Sequence, residues 1–202
     1  MHPTRIAKVH GRLLIGKVSD LPQPPPPRLA DSESDISYVL ISEVLVADPV
    51  PDAAPPSRKT MLRLQQPEGK RGQKLFLETV LPQAVPFVDS QLSDGKAVCI
   101  CCDSGKDASI GVVLTALQLF FNDSGEFLQP KNRHDTGMPV SVCSEVPRTL
   151  TYLVRDCTAI DKKSISTRLQ WIITSRPQAN PSRATLKRVN EFLMTSPALR
   201  GR

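Results

Sequence analysis

One stretch limits the fold more than any other. Ala97–Cys102 is a continuous apolar run, Asp103–Asp107 is a short polar loop, and Ala108–Phe121 is apolar on nearly every side. A short strand that is apolar at every position is buried on both faces. A helix that is greasy all round is central, not superficial. The strand–loop–helix at 97–121 is therefore the centre of the fold. With 202 residues and 40% apolar content there is enough to build one core around it. Aromatics supply only 4%, so that core is mostly aliphatic.

The flanking sequence orders itself around this centre. Arg12–Val18 and Ile36–Val46 read as strands, and Met61–Leu64 as a short third. Prolines at 24–27, and four more between Asp48 and Ser57, mark loops. Pro67–Gly72 reads as a charged loop. Residues 73–92 have helical spacing interrupted by Pro82, which predicts two helices, the second with Pro82 at its first position. Asp94-Gly95 ends that helix, and Asn122–Gly125 ends the central one. Asp161–Ser175 places Ile165, Leu169, Ile172 and Ile173 on one face. Asn180 reads as the N-cap of a last helix with Pro181 in its first turn and Leu186, Val189 and Leu193 inward. The chain thus divides into residues 1–60, strands and Pro-rich loops, and residues 61–202, with a segment at about 131–160 that has no period.

Charge is concentrated at one end. Residues 161–202 hold nine Lys or Arg against two acids, while the rest of the chain is nearly neutral. Such a face attracts a polyanion or is an ordinary solvated helical surface. No interleaved aromatics accompany it, so a base-stacking platform has no support. No apolar run approaches the roughly 20 residues of a membrane span. Met1–Gly11 has no apolar secretory core. Three of the five cysteines lie within Cys99–Cys102, which is no disulfide framework and points to a reducing compartment. A cytoplasmic protein without a membrane partner is expected. His2, His10 and His134 lie near no cysteine or carboxylate cluster, so no metal site is expected. Trp171 reads as packed, not stacked on a base. Cys143 and Cys157 fall in or beside the segment without period and receive no role.

The chemistry is concentrated in Cys102-Asp-Ser-Gly-Lys-Asp-Ala-Ser109. In a loop between a buried strand and a buried helix, main-chain amides can converge on one point and the helix adds its positive end. A cysteine at the base of such a nest has its thiolate favoured. Gly105 permits the tight curvature, and Ser109 can bond the thiolate or cap the helix. The alternative is a buried structural thiol followed by a plain turn.

The spacing resembles the signature loop of the cysteine-dependent dual-specificity phosphatases, which runs Cys, two residues, Gly, two more, then Arg and Ser. Cys102, Gly105 and Ser109 fall in register, but Ala108 stands where the arginine should be. No arginine occurs between Arg71 and Arg133. The usual aspartate general acid would come from the loop after the preceding strand, where only Glu68 is offered.

A wider resemblance covers about residues 61–128 and 161–196. The GKRG motif at 69–72, the Cys102–Ser109 loop and Asn180-Pro-Ser-Arg-Ala-Thr-Leu186 are similar to the C-terminal domain of the initiator tRNA phosphoribosyl transferase family. The resemblance implies an α/β, dual-specificity-phosphatase-like three-layer fold, a central sheet flanked by helices, with Pro-rich loops. It implies transfer of a ribosyl phosphate from phosphoribosyl pyrophosphate to a ribose 2′-OH of the initiator tRNA, and hence a role in translation initiation. No tightly bound cofactor is implied. Family members are longer and carry a large domain ahead of this one, so a short form retaining the phosphate- and tRNA-binding domain is expected. Gly137–Arg155 does not follow the family pattern, and a retained intron in the gene would account for it.

The resemblance and the loop together assign expected roles. Cys102, Ser104, Gly105, Lys106 and Ser109 form the phosphate cradle, with Cys102 and Asp107 as the catalytic candidates. Asp107 would orient a ribose hydroxyl or hold Lys106, or else point away. Lys70 and Arg71, with Lys74, face the same pocket or form a surface charge cluster. Arg168, Arg183, Lys187 and Arg188 are expected to contact tRNA phosphates. The alternatives are a non-catalytic phosphate- and RNA-binding module or a cysteine phosphatase, the latter opposed by the missing guanidinium fork.

Overall fold

Strands β1 (Thr4–Arg5), β2 (Leu13–Lys17), β3 (Ile36–Ser42), β4 (Met61–Gln65) and β5 (Ala97–Cys102) form one sheet. Their order is β1-β2-β5-β3-β4. β1 runs antiparallel to β2, and the other pairings are parallel. These assignments come from a computed structural model that describes residues 3–22, 25–27, 35–44, 60–67, 69–128 and 160–195. β5 lies in the middle, between β2 and β3, and is buried at all six positions, as its unbroken apolar sequence requires. Strands on both sides of residue 60 share the sheet, so the two regions of the chain form one structural unit.

The helices are α1 (Gly69–Leu75), α2 (Leu81–Ser93), α3 (Ala108–Phe120), α4 (Lys162–Ser175) and α5 (Arg183–Thr195). They pack on one face of the sheet, in a core shared with Ile15, Val39, Ile41, Val98 and Ile100. α3 is buried along its whole length. Each fully buried aliphatic or aromatic side chain there contributes about 1.5–3 kcal/mol of transfer free energy. The opposite face carries a thinner layer, with Leu21 and the three-ten turn Val18–Asp20 set against Leu14, Tyr38, Leu40, Cys99 and Cys101. The expected α/β architecture, a central sheet with flanking layers, is therefore the one observed.

Several local expectations change. The GKRG motif is not a loop: α1 starts at Gly69. Gly72 is the reason it packs closely, because a Cβ there would overlap the Pro67 carbonyl oxygen. The chain from Gly69 to Ser93 is helical throughout, with a π turn at Phe76–Val80 just ahead of Pro82. The wider turn accommodates the residue that cannot donate a ladder hydrogen bond. Pro86 sits inside α2 as well. In α4, Ile173 is 41% exposed and Arg168 takes the inward place. In α5, Thr185 and Phe192 are buried with Val189 and Leu193, while Leu186 is only partly buried. Ser182, not Asn180, caps α5: its hydroxyl accepts from the Thr185 N–H at 3.1 Å.

Glu68, His2, His134, Cys143, Cys157 and Gly137–Arg155 lie outside the described residues. Among the described residues no helix is long and apolar enough to cross a membrane.

Candidate functional site

The Cys102–Ser109 loop leaves the carboxyl end of β5 and enters α3. In open parallel sheets this is where ligands bind. The loop is fixed from the α4–α5 connection. Arg176 donates from Nε to the Gly105 carbonyl at 3.2 Å, the Asn180 N–H donates to the Lys106 carbonyl at 3.1 Å, and the Ser182 N–H donates to Asp107 Oδ1 at 2.7 Å. Gly105 has φ +65°, and a Cβ there would meet Arg176 Nη2 at 3.1 Å and the Gly16 carbonyl oxygen at 3.2 Å. Both the left-handed backbone and the crowding call for glycine.

Cys102 Sγ lies 3.1 Å from Ser109 Oγ and 3.6 Å from Ser104 Oγ. Burial opposes its ionisation. Hydrogen bonds from the Ser109 hydroxyl and N–H, the Ser104 hydroxyl and the Asp107 N–H outweigh that, so the thiol sits below its ordinary range. The preceding residue behaves oppositely. Cys101 points to the other face, where its hydrogen bond with Cys99 (Sγ to Sγ 3.5 Å) and burial push its pKa up. One step along a strand separates a thiol held ready to ionise from one held neutral.

The cradle is narrower than expected. Its amides do not all converge: the Gly105 N–H closes a turn on the Cys102 carbonyl at 3.1 Å, and the Lys106 N–H is taken by Ser104 Oγ at 3.2 Å. The Asp107 and Ser109 amides turn toward the sulfur.

Two cavities flank the loop. The first, about 390 Å³, opens toward β3 and β4 and is lined by Ile41, Glu43, Gln66, Pro67, Gly69, Gln73, Cys102, Asp103, Ser104, Asp107 and Ala108. It contains three carboxylates, and no lysine or arginine among the described residues lines it. Ala108 forms part of the wall, and among the described residues lining it no cation takes the place of the missing guanidinium. The second cavity, about 490 Å³, opens toward β2 and is lined by Lys17, Asp20, Asp103, Ser104, Lys106, Arg176 and Gln178.

This geometry corrects several assignments. Lys106 faces the β2-side cavity, away from the mouth of the cysteine site. Lys70 and Arg71 are exposed on α1, which turns Gly69 and Gln73 to the β3-side cavity instead. Lys74 pairs with Glu78 at 3.8 Å on the surface. Asp107 does not hold Lys106; it accepts from Ser182 and still lines the β3-side cavity. Arg168 is only 1% exposed: Nη2 donates to the Phe121 carbonyl at 2.9 Å and pairs with Asp123 at 3.2 Å, and the guanidinium stacks on Trp171. It is an internal strut and is closed to tRNA. Arg183 and Lys187 are exposed, and Arg188 is half-buried and paired with Glu191 at 2.7 Å. Trp171 is packed against the core.

Arg176 is not marked as a site residue by residue spacing. It follows α4 and lies outside any helical period, so its burial has no signature in spacing. Its place just ahead of Pro177, where a helix ends, is the only available clue.

Comparison with known proteins agrees with this picture. No curated protein matches the chain in sequence. Among solved structures, the phosphatase domain of Yvh1 from Chaetomium thermophilum superposes with a TM-score of 0.53 at 18% identity, covering 98% of this chain and 99% of that one. The human tyrosine phosphatase-like serine/threonine/tyrosine-interacting protein gives a TM-score of 0.53 at 14% identity, covering 94% of each chain. Human DUSP28 gives 0.50 at 14% identity, covering 94% of this chain and 91% of its own. At these identities the likeness establishes the fold, that of the dual-specificity phosphatase domains. The sequence match is more specific: residues 51–193 match the Rit1 DUSP-like domain of the initiator tRNA phosphoribosyl transferase family, and the chain belongs to that family.

Proposed function

We propose that the chain acts in cytoplasmic initiator tRNA modification, in the transfer of a ribosyl phosphate from phosphoribosyl pyrophosphate to a ribose 2′-OH. Its phosphatase-like cradle serves binding and positioning, not hydrolysis. The observation that carries this reading is the β3-side cavity. It keeps Cys102 but holds Glu43, Asp103 and Asp107 and no cation among the described residues. A phosphate monoester dianion is repelled there, and no fork is present to neutralise a transferring phosphoryl group. The same walls are rich in acceptors. Glu43, Asp103 and Asp107 line the cavity with carboxylates, which are acceptor-only groups when ionised. A sugar presenting hydroxyl donors suits such a wall, and the position of Asp107 in it supports the reading that this carboxylate orients one of them. Family membership supports the substrate class, and the exposure of Arg183 and Lys187 supports a salt-sensitive contact with the tRNA backbone.

The test is incubation with initiator tRNA and phosphoribosyl pyrophosphate, followed by mass analysis of the tRNA. A gain of one ribosyl phosphate, lost in Asp107→Ala, supports transfer. Salt-dependent tRNA binding with no mass gain supports the second reading, a non-catalytic RNA-binding module, which the absent guanidinium favours. Turnover of nitrophenyl phosphate that disappears in Cys102→Ser would overturn both.

A further inference from the structure

The geometry points to an oxyanion site on the side of the loop away from the cysteine, in the β2-side cavity, built on Arg176 with Lys17 and Lys106. Arg176 is 7% exposed, yet no carboxylate pairs with it among the described residues. Its Nε and Nη1 are spent on neutral acceptors: the Gly105 carbonyl at 3.2 Å, Thr4 Oγ1 at 2.9 Å and the Ile15 carbonyl at 3.4 Å. Nη2 makes no hydrogen bond among the described residues, and Arg176 lines the cavity. A guanidinium buried without a counter-ion is costly unless a ligand supplies the negative charge.

The surroundings fit that ligand. Lys17 and Lys106 line the same cavity and form no ion pair among the described residues. Two carboxylates share the wall: Asp103 is engaged on the far side by the Glu43 N–H at 2.8 Å, and Asp20 lies beside Lys17 in the lining, so three cations face two carboxylates and the cavity keeps a positive excess. A fixed planar fork with two mobile ammonium groups around about 490 Å³ is a receptor for a phosphate or diphosphate group. That chemistry has two sources: a phosphodiester of an RNA backbone, or a free phosphorylated small molecule. The site stands on this geometry without the transferase reading, so failure of ribosyl transfer would leave it untouched.

The test uses the full chain, with inorganic pyrophosphate followed by calorimetry and initiator tRNA followed by fluorescence at several salt concentrations. The variant is Lys17→Ala with Lys106→Ala, both exposed, with an unchanged melting temperature as the fold check. Lys74→Ala with Lys163→Ala is the equal-charge control. Pyrophosphate affinity is expected to fall about tenfold or more in the first variant and to hold in the control. If tRNA affinity falls too, with the slope of log K against log salt reduced by about 1–2, the occupant is an RNA phosphate. If tRNA binding is unchanged while pyrophosphate binding falls, the occupant is a small phosphorylated molecule. Arg176→Lys, which keeps the charge but loses the fork, is expected to weaken pyrophosphate as well. Wild-type protein that ignores pyrophosphate, or equal losses in variant and control, would overturn the proposal.

Discussion

The two cavities share Asp103 and Ser104 and are separated only by the backbone of one loop, yet they carry opposite chemistry. The β3 side holds the activated thiol and three carboxylates, with no lysine or arginine among the described residues. The β2 side holds a buried guanidinium and two lysines against two carboxylates, Asp20 and Asp103, so its balance is cationic where the other is anionic. In a working cysteine phosphatase the nucleophile and the phosphate-binding cation must meet at one point. Here they stand on opposite sides of the loop. The difference teaches that the loop's shape survives separately from its phosphoryl chemistry. Arg176 holds the shape by bonding the Gly105 carbonyl, whereas the chemistry would need a cation at position 108.

Arg176→Met should have the largest effect, because it leaves the Gly105 and Ile15 carbonyls and Thr4 Oγ1 without their donor. At roughly 1 kcal/mol each, a loss of about 3 kcal/mol is expected in chemical denaturation. An unchanged midpoint would mean that the β2 side does not hold up the loop. Gly105→Ala comes next. Its left-handed φ and the contacts at 3.1–3.2 Å predict a loss of about 1–3 kcal/mol. The same change should disturb Cys102 on one side and Arg176 on the other, detectable as altered alkylation and altered pyrophosphate binding. Asp107→Asn keeps an acceptor for the Ser182 N–H but removes the charge, so a loss near 1 kcal/mol is expected in thermal melts.

Ser109→Ala should leave stability nearly unchanged and move the titration of Cys102 upward. The sign follows from the lowered pKa. The native thiolate persists below the pH where an ordinary thiol protonates, and the stability linked to it is lost as pH falls through the native value. Removing the Ser109 hydroxyl takes away a bond to the charged form. The pH profile of iodoacetamide labelling, read by peptide mass analysis, should then shift to higher pH. Cys101, whose pKa burial and Cys99 push the other way, should stay unlabelled throughout.

Much of the fold was legible in one dimension. β5 and α3 announce themselves by unbroken apolar runs, whereas the Asp161 cap of α4, accepting from the Ser164 N–H at 2.6 Å, is a finding of the structure. The spacing from residue 73 predicts the first helix but not its start at Gly69, because GKRG looks like a polar turn and only the close approach to Pro67 selects the helical conformation. Arg168 is expected at the surface because a charged residue on a polar helix reads as surface, and the structure buries it. Its burial depends on the Phe121 carbonyl, Asp123 and Trp171, two of them more than forty positions away in sequence.

The sequence by itself determined the strand–loop–helix at the centre, the thiol at the strand's end and the gap at Ala108, because burial pattern and residue identity are local properties. Only the tertiary structure decided which way each charge faces. The side of the loop on which Lys106, Asp107 and Arg176 emerge is set by how β2, β3 and the α4–α5 connection pack around it, and those segments meet only when the sheet closes.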